Sequence, residues 1–190
     1  MSITTAMNLE PVSVDNADEI SGQILETTQS KLGFIPNMYA GMANNTALLE
    51  GYVAGYNTFR ANSGFTPPEQ EVVFLSIALE NGCTYCVAAH SFVGDKMTQV
   101  PTEVTDAIRN ETEIPDAKYK ALSVFSKVMT EKRGLPSDAD VAAFFEAGYT
   151  EKHVLGVIAA LGVKTMSNYF NHVAHTPVDD AFKSRVWEKK

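Results

Sequence analysis

The sequence predicts an all-α protein, a compact bundle of roughly seven to nine helices. Between glycine and proline residues, almost every segment repeats apolar residues at the spacing of an amphipathic helix. No segment shows the alternation of apolar and polar residues that is typical of a half-buried strand. The 190 residues, 45% of them hydrophobic, suffice for one domain, 1–190, with an N-terminal arm at 1–15 and a C-terminal tail at 178–190.

Start and stop signals give the helices in chain order. Gly33 ends the first, and Thr66, Pro67 and Glu69 combine an N-cap, a first-turn proline and a capping-box glutamate for the fourth. Pro177 follows the last helix. The predicted helices cover residues 16–31, a short stretch after 33–37, 46–62, 67–81, 83–97, a short stretch from 101, 115–133, 137–147 and 150–175.

A weak internal similarity relates residues 69–90 to residues 151–172. When the two segments are aligned, Glu, Val, Ala, Leu and His coincide at corresponding positions, but the second segment contains no cysteine. This pattern indicates either a degenerate repeat of a helix pair or a chance similarity between amphipathic helices.

Charge and hydropathy exclude some partners. The formal net charge of −8 disfavours nucleic acid and anionic membrane surfaces. No apolar run approaches the ~18 residues of a membrane span, and the first residues do not resemble a signal peptide. We therefore expect a cytoplasmic protein, in a compartment where thiols are kept reduced.

The two cysteines of the chain, Cys83 and Cys86, stand three residues apart, and His90 follows four residues later. If Cys83 opens a helix, all three side chains fall on one face within an arc of ~60°. The partial positive charge of the helix N-terminus and a nearby imidazole both favour a thiolate. The pattern predicts an activated dithiol in which His90 takes the thiol proton.

Glu71 lies in the middle of an apolar stripe on the preceding helix. A buried carboxyl group has a raised pKa unless it is paired, so Glu71 is the better candidate for a proton relay. Glu80 falls on the opposite face of that helix and is not expected at the same site.

Two alternatives remain open for the cysteines. They could be buried structural residues that act as small hydrophobic side chains. They could also bind zinc, but no fourth ligand stands at motif spacing, so His172, His175 or Glu71 would have to supply it through the fold.

The spacing Glu71-x11-Cys83-x2-Cys86-x3-His90 resembles the active-site signature of AhpD, an alkylhydroperoxidase-like family of the carboxymuconolactone decarboxylase superfamily. Residues 78–90 and 168–179 are similar to its peroxidase-related branch. The resemblance implies an all-α fold and a homo-oligomer, either a dimer, a trimer or a hexamer.

By this resemblance, the protein is a thiol-dependent peroxidase that needs no bound cofactor or metal. Cys86 would attack a hydroperoxide, Cys83 would form a disulfide with it, and a dithiol or lipoyl-type donor would reduce that disulfide. His90 would be the base, with Glu71 behind it. AhpD proteins carry histidine before the second cysteine, where this chain has Tyr85, which we expect to pack beside Phe92.

Two other functions are weighed against this one. A lactone enzyme like carboxymuconolactone decarboxylase needs no dithiol, so the paired cysteines argue against it. A non-enzymatic redox sensor would turn over slowly and change its oligomer size on oxidation. The polar face formed by Asn168, Asn171 and His175 is expected to hold helices or subunits together, and the tail with Trp187 is expected to be solvated.

Overall fold

The computed structural model describes residue 7 and residues 9–189, and within these residues the chain is helical with no strand. The prediction of an all-α bundle is therefore confirmed. The α-helices are α1 (Glu19–Leu32), α2 (Asn37–Met42), α3 (Thr46–Asn62), α4 (Pro67–Glu80), α5 (Thr84–Val93), α6 (Thr102–Asn110), α7 (Ala117–Glu131), α8 (Asp138–Glu146) and α9 (Glu151–Ala174). Short 3₁₀ turns occupy Val14–Asn16 and Asp180–Arg185. Residues 1–6 and 8 of the predicted N-terminal arm lie outside the described residues.

Helix α4 is the centre of the bundle. Every residue from Glu69 to Leu79 is buried, because α5, α6, α7 and α9 pack around it. A helix that is apolar on all sides fits such a position, and its start is fixed by the predicted capping box of Thr66 and Glu69. Its two buried carboxylates, Glu69 and Glu71, consequently need partners inside the protein.

The turn between α4 and α5 places the two cysteines. Gly82 has a φ of 68°, which glycine adopts without strain, and it stops α4. Cys83 is extended and serves as the N-cap of α5, so Cys86 occupies the first turn of that helix. The predicted helix over 83–97 is divided, since α5 ends at Val93 and a π-helical turn covers Gly94–Thr98.

Helix α9 brings distant residues to the cysteines. It runs without a break for 24 residues and packs on α3, α4 and α5. Residues 69–90 instead form two helices joined by a turn. The proposed repeat of a helix pair is therefore wrong, because its second segment is a single helix.

The C-terminal segment packs onto its own chain and is not a solvated end. Arg185 forms ion pairs with Asp95 (3.1 Å) and Asp106 (2.7 Å). The indole of Trp187 donates a hydrogen bond to the carbonyl of Arg109. These contacts hold the tail across α5 and α6, where Phe182 also covers one end of the site described below.

Within the described part of the chain, no helix combines the length and the apolar character needed to cross a lipid bilayer.

Candidate active site

Both cysteine sulfurs are buried at the start of α5. The residues are 1% and 2% exposed, for Cys83 and Cys86 respectively, and both are free thiols. The amide of Asn171, on α9, donates to Cys86 Sγ at 3.3 Å and lies 3.8 Å from Cys83 Sγ. A single side chain from the far end of the sequence therefore bridges the two sulfurs, and it is closer to Cys86.

Behind Cys86 lies a chain of buried charged and polar groups. His90 Nδ1 is 2.8 Å from Glu71 Oε2, and His90 Nε2 is 2.9 Å from Lys164 Nζ. An ammonium group can only donate, so Nε2 accepts from Lys164 and Nδ1 carries the proton that it gives to Glu71. The imidazole is thus fixed in one tautomer between a cation and an anion.

The other oxygen of Glu71 is bound by Arg60, on α3. Arg60 also donates to the Tyr56 hydroxyl at 2.7 Å and to Gln70 at 3.1 Å. Burial raises the pKa of the Glu71 carboxyl, but the hydrogen bond from His90 and the charge of Arg60 outweigh it and hold that pKa below its usual value. The sequence predicted a raised pKa unless a partner existed, and the partners exist.

The pKa values of the two thiols are shifted in opposite directions. Burial raises the pKa of Cys86, but the hydrogen bond from Cys83 and the charge of Lys164 outweigh it and hold the pKa well below its usual value. The pKa of Cys83 is raised, because its proton is shared with Cys86 and because it is buried. Cys86 is therefore the more acidic of the two thiols.

His90 is neutral at physiological pH. Its burial and the charge of Lys164 lower its pKa, against the opposing effect of Glu71. Both ring nitrogens of His90 are occupied, one by Glu71 and one by Lys164, and the charge of Lys164 also lowers the pKa of Cys86. The expected hydrogen bond between the imidazole and the thiol is not among the contacts of the described residues.

A cavity of about 430 Å³, here called the apolar cavity, reaches Cys86. Cys86, His90, Lys164 and Lys31 form its polar part. The rest of its wall is aromatic or aliphatic, and the aromatic residues are Phe34, Tyr39, Tyr52, Tyr56, Tyr85, Phe92 and Phe182. A small apolar molecule can therefore approach the Cys86 residue in largely apolar surroundings.

Tyr85 packs near Phe92 as expected, since both rings contact Phe182. Its hydroxyl, however, also donates to the buried carboxylate of Asp179 at 2.6 Å. Asp179 in turn accepts from the backbone amide of Asn37 at 3.0 Å. Tyr85 thus links the cysteine helix to the C-terminal segment and to α2, instead of contributing a second imidazole beside the thiols.

The structure brings together all four predicted site residues, Cys83, Cys86, His90 and Glu71. Glu80 is exposed, as its position on the opposite face of α4 implied. Asn168 bonds to Asn81 at 2.8 Å, in agreement with a structural role for that residue. In the described part of the chain, no three His, Cys, Asp or Glu side chains form a group that could hold a metal ion.

Sequence reasoning missed two residues of the site, Arg60 and Lys164, and it assigned Asn171 to a polar face that holds helices or subunits together instead of to the sulfurs. Lys164 is 1% exposed. It shares a face of α9 with Asn168 and Asn171, at spacings of four and seven residues. A lysine on the inward face of a helix was the available signal, because a buried lysine needs a partner. Nothing in the local sequence of α3 indicates that Arg60 would pair with a buried carboxylate.

No family model matches the chain, and no curated protein matches its sequence. Its fold is similar to a peroxidase-related protein of Ralstonia eutropha JMP134 with an alkylhydroperoxidase AhpD core (TM-score 0.79, 21% identity, 94% of this chain and 95% of that one). A peroxidase-related protein from Silicibacter sp. TM1040 gives a TM-score of 0.78, 19% identity, and coverage of 97% and 99%.

A third similar structure is the debrominase Bmp8, as a cysteine-to-alanine variant in complex with 2,3,4-tribromopyrrole. It gives a TM-score of 0.78 and 14% identity, over 95% of this chain and 97% of that one. The structural neighbours therefore include both peroxidase-related proteins and a debrominase. The chain has the AhpD-like fold, as the spacing of its cysteines, His90 and Glu71 predicted.

Proposed function

We propose that this protein is a dithiol-dependent oxidoreductase that reduces hydroperoxides through Cys86 and Cys83. The observation that carries the proposal is the environment of Cys86. Its buried sulfur is stabilised as a thiolate by Cys83, Asn171 and Lys164, and it lies at the end of the apolar cavity. A low-pKa thiolate in a partly enclosed site is the nucleophile that such chemistry requires.

In the first step, the Cys86 thiolate attacks the terminal oxygen of a hydroperoxide. The O–O bond breaks, the sulfur becomes a sulfenic acid, and the alkoxide leaves. Lys164 gives its proton to the alkoxide, which departs as an alcohol. His90 and Glu71 hold Lys164 in place for this transfer, because the neutral imidazole accepts from its ammonium group.

In the second step, Cys83 attacks the sulfenic acid sulfur. An S–S bond forms between the two cysteines, and the hydroxyl group leaves as water with the Cys83 proton. An external dithiol then reduces this disulfide and is itself oxidised to a disulfide. Of the two thiol protons of this reductant, one goes to Cys83 and one to Lys164, so that the Cys86 thiolate is regenerated.

The test is a steady-state assay of hydroperoxide consumption with several dithiol donors. We expect turnover by the natural sequence, no turnover by Cys86→Ser and a large loss in His90→Ala. Full peroxidase activity in Cys86→Ser would contradict the proposal. A redox sensor would instead give slow turnover with an oxidation-dependent change in oligomer size, and a lactone enzyme would keep its activity without either thiol.

A second candidate is reductive dehalogenation of an aromatic halide. The aromatic wall of the apolar cavity favours it, because flat halogenated rings stack on such surfaces beside the Cys86 sulfur. The balance uses the same dithiol: the carbon–halogen bond becomes a carbon–hydrogen bond, halide leaves, and Cys83 and Cys86 are oxidised to a disulfide. Halide release from a brominated pyrrole, measured beside peroxide consumption, distinguishes the two reactions.

A further inference from the structure

A second cavity, here called the polar cavity, reaches the dithiol from another side. Its volume is about 300 Å³, and it contains Cys83 but not Cys86. The apolar cavity contains Cys86 but not Cys83. Apart from the Cys83 sulfur, the polar cavity is lined by Thr84, Tyr85, Asn171, His172, His175 and Thr176. The two cysteines of one redox couple thus line two different cavities, Cys86 the apolar cavity and Cys83 the polar cavity.

The polar cavity holds hydrogen-bonding groups that the protein itself does not use. Asn171 Oδ1, His172 Nε2 and Thr176 Oγ1 are buried atoms without a hydrogen-bond partner among the described residues. Asn171 is 6% exposed, and its amide nitrogen is already directed at the sulfurs. Because an unpaired buried polar atom is costly, such atoms are satisfied by something that enters the cavity.

Tyr85 lies in the wall between the two cavities, since its side chain lines both. Its hydrogen bond to Asp179 and its contact with Phe182 hold the ring in place. The C-terminal segment therefore fixes the position of the side chain that separates the two cavities. A molecule in one cavity does not need to leave before another enters the second.

We propose that the polar cavity is the entry site for the reductant, a small polar dithiol that attacks Cys83 while the alcohol formed from the hydroperoxide occupies or leaves the apolar cavity. This inference rests on the proposed dithiol function and adds a separate binding site to it. The volume fits a small molecule and is near the lower end of the range for ligand pockets, about 300–1,000 Å³.

The chemistry of the attack follows from the geometry. A thiolate of the reductant attacks Cys83 Sγ, the S–S bond to Cys86 breaks, and its electron pair goes to Cys86. The second thiol of the reductant then attacks the reductant sulfur that is bonded to Cys83. This closes a disulfide within the reductant and releases the Cys83 thiol. Cys86 is the better leaving group, because a thiol of low pKa leaves faster, and Lys164 and Asn171 are already in place to stabilise its charge.

The test measures the two half-reactions, oxidation by a hydroperoxide and re-reduction by a dithiol, separately. In each variant, a tryptophan at an exposed residue narrows one of the two cavities. Thr84 is exposed at the polar cavity, and Met97 is 62% exposed at the apolar cavity. Thr84→Trp and Met97→Trp are therefore matched variants that change solvent-facing side chains. Reduced protein is mixed with cumene hydroperoxide in one arm, and diamide-oxidised, desalted protein is mixed with dithiothreitol in the other. Acid quenching, alkylation in denaturant and intact mass follow both reactions.

We expect Thr84→Trp to slow re-reduction by dithiothreitol about tenfold or more, equivalent to about 1.4 kcal/mol of activation free energy, and to leave oxidation within about twofold. Met97→Trp should show the reverse pattern. His172→Phe, which removes a polar atom at similar size, should slow re-reduction by about threefold. The proposal is overturned if Met97→Trp slows both half-reactions and Thr84→Trp slows neither.

A trapping experiment identifies the attacked sulfur. Oxidised protein is treated with excess 2-mercaptoethanol, quenched in acid, and digested, and fragment masses locate the mixed disulfide. Modification of Cys83 supports the proposal, and modification of Cys86 contradicts it. Because diamide supplies the disulfide for the re-reduction arm and for the trapping experiment, both remain informative in a protein that consumes no peroxide. Such a protein would contradict the proposed peroxidase function alone.

Discussion

Replacing Lys164 with methionine removes a buried cation that contacts His90 and lowers the pKa of Cys86, at nearly constant side-chain volume. In the folded protein, Lys164 is 1% exposed and its ammonium group lies 2.9 Å from His90 Nε2. Its charge is among the effects that lower the pKa of Cys86. We expect Lys164→Met to raise the pKa of Cys86 and to reduce its reactivity at neutral pH.

The size of the effect follows from Coulomb's law. Two opposite charges about 5 Å apart interact by about 3 kcal/mol at an effective dielectric constant of about 20. At about 1.36 kcal/mol per pKa unit, this corresponds to roughly 2 units. The hydrogen bond to Cys86 from Asn171 is retained, so the thiolate is weakened but not lost.

The assay is the pH dependence of alkylation by iodoacetamide, a small neutral reagent that the apolar cavity admits. A Cys83→Ser background leaves a single thiol, so one pKa is measured without coupling. Lys164→Met should shift the curve to higher pH by roughly 2 units, while Lys152→Met, at an exposed position of the same helix, should leave it unchanged. An unshifted curve in folded Lys164→Met would refute the role of this cation, with folding checked by circular dichroism.

Three further predictions concern the surroundings of the site. Glu71→Gln leaves the half-buried Arg60 cation without its anion and should lower the free energy of urea unfolding at pH 7 by about 2–4 kcal/mol, whereas exposed Glu80→Gln should change it by less than about 0.5 kcal/mol. Because the pKa of Glu71 is lowered in the folded protein, the stability lost on Glu71→Gln should be fully present above pH 4.5, the pKa in the unfolded chain, and should shrink as the pH falls below that value. A loss of stability that does not depend on pH would argue against an ionised Glu71. Asn171→Leu removes the hydrogen bond to the Cys86 thiolate and should slow its stopped-flow oxidation by peroxide about tenfold, while an unchanged rate would remove Asn171 from the mechanism. Arg185→Ala breaks two ion pairs of the C-terminal segment and should cost about 1–2 kcal/mol in the same unfolding assay, against no measurable cost for exposed Arg133→Ala.

Local rules predicted most of the fold. The capping box at Thr66, the glycine at 82 and the proline at 177 mark helix ends where the structure has them, since caps and breakers act within a few residues. They could not predict the packed C-terminal segment. Its stability depends on Asp95, Asp106 and the carbonyl of Arg109, which only the tertiary fold brings within reach.

The same division holds at the site. Cys83, Cys86 and His90 lie on one helix, and Glu71 lies on the helix before it, so helical spacing was enough to group them. The groups that set their charges come from α3 and α9, far away in sequence. For this reason, the structure places His90, the predicted proton acceptor, in a different arrangement: its ring nitrogens contact Glu71 and Lys164, and its role as a base stays a prediction.

The choice between the two cysteines also comes from α9. The N-terminus of α5 favours negative charge on both sulfurs, and Cys83, as the N-cap, is no worse placed for that effect than Cys86. Asn171 is nearer to Cys86 by 0.5 Å, the difference between 3.8 Å and 3.3 Å, and Lys164 lowers the pKa of Cys86 by its charge and by hydrogen bonding but that of Cys83 by its charge alone. If this reasoning is correct, the double variant Lys164→Met/Asn171→Leu should lose the preference for Cys86 in limited alkylation, measured by the ratio of label on the two sulfurs. A preference that survives both substitutions would assign it to the helix terminus instead.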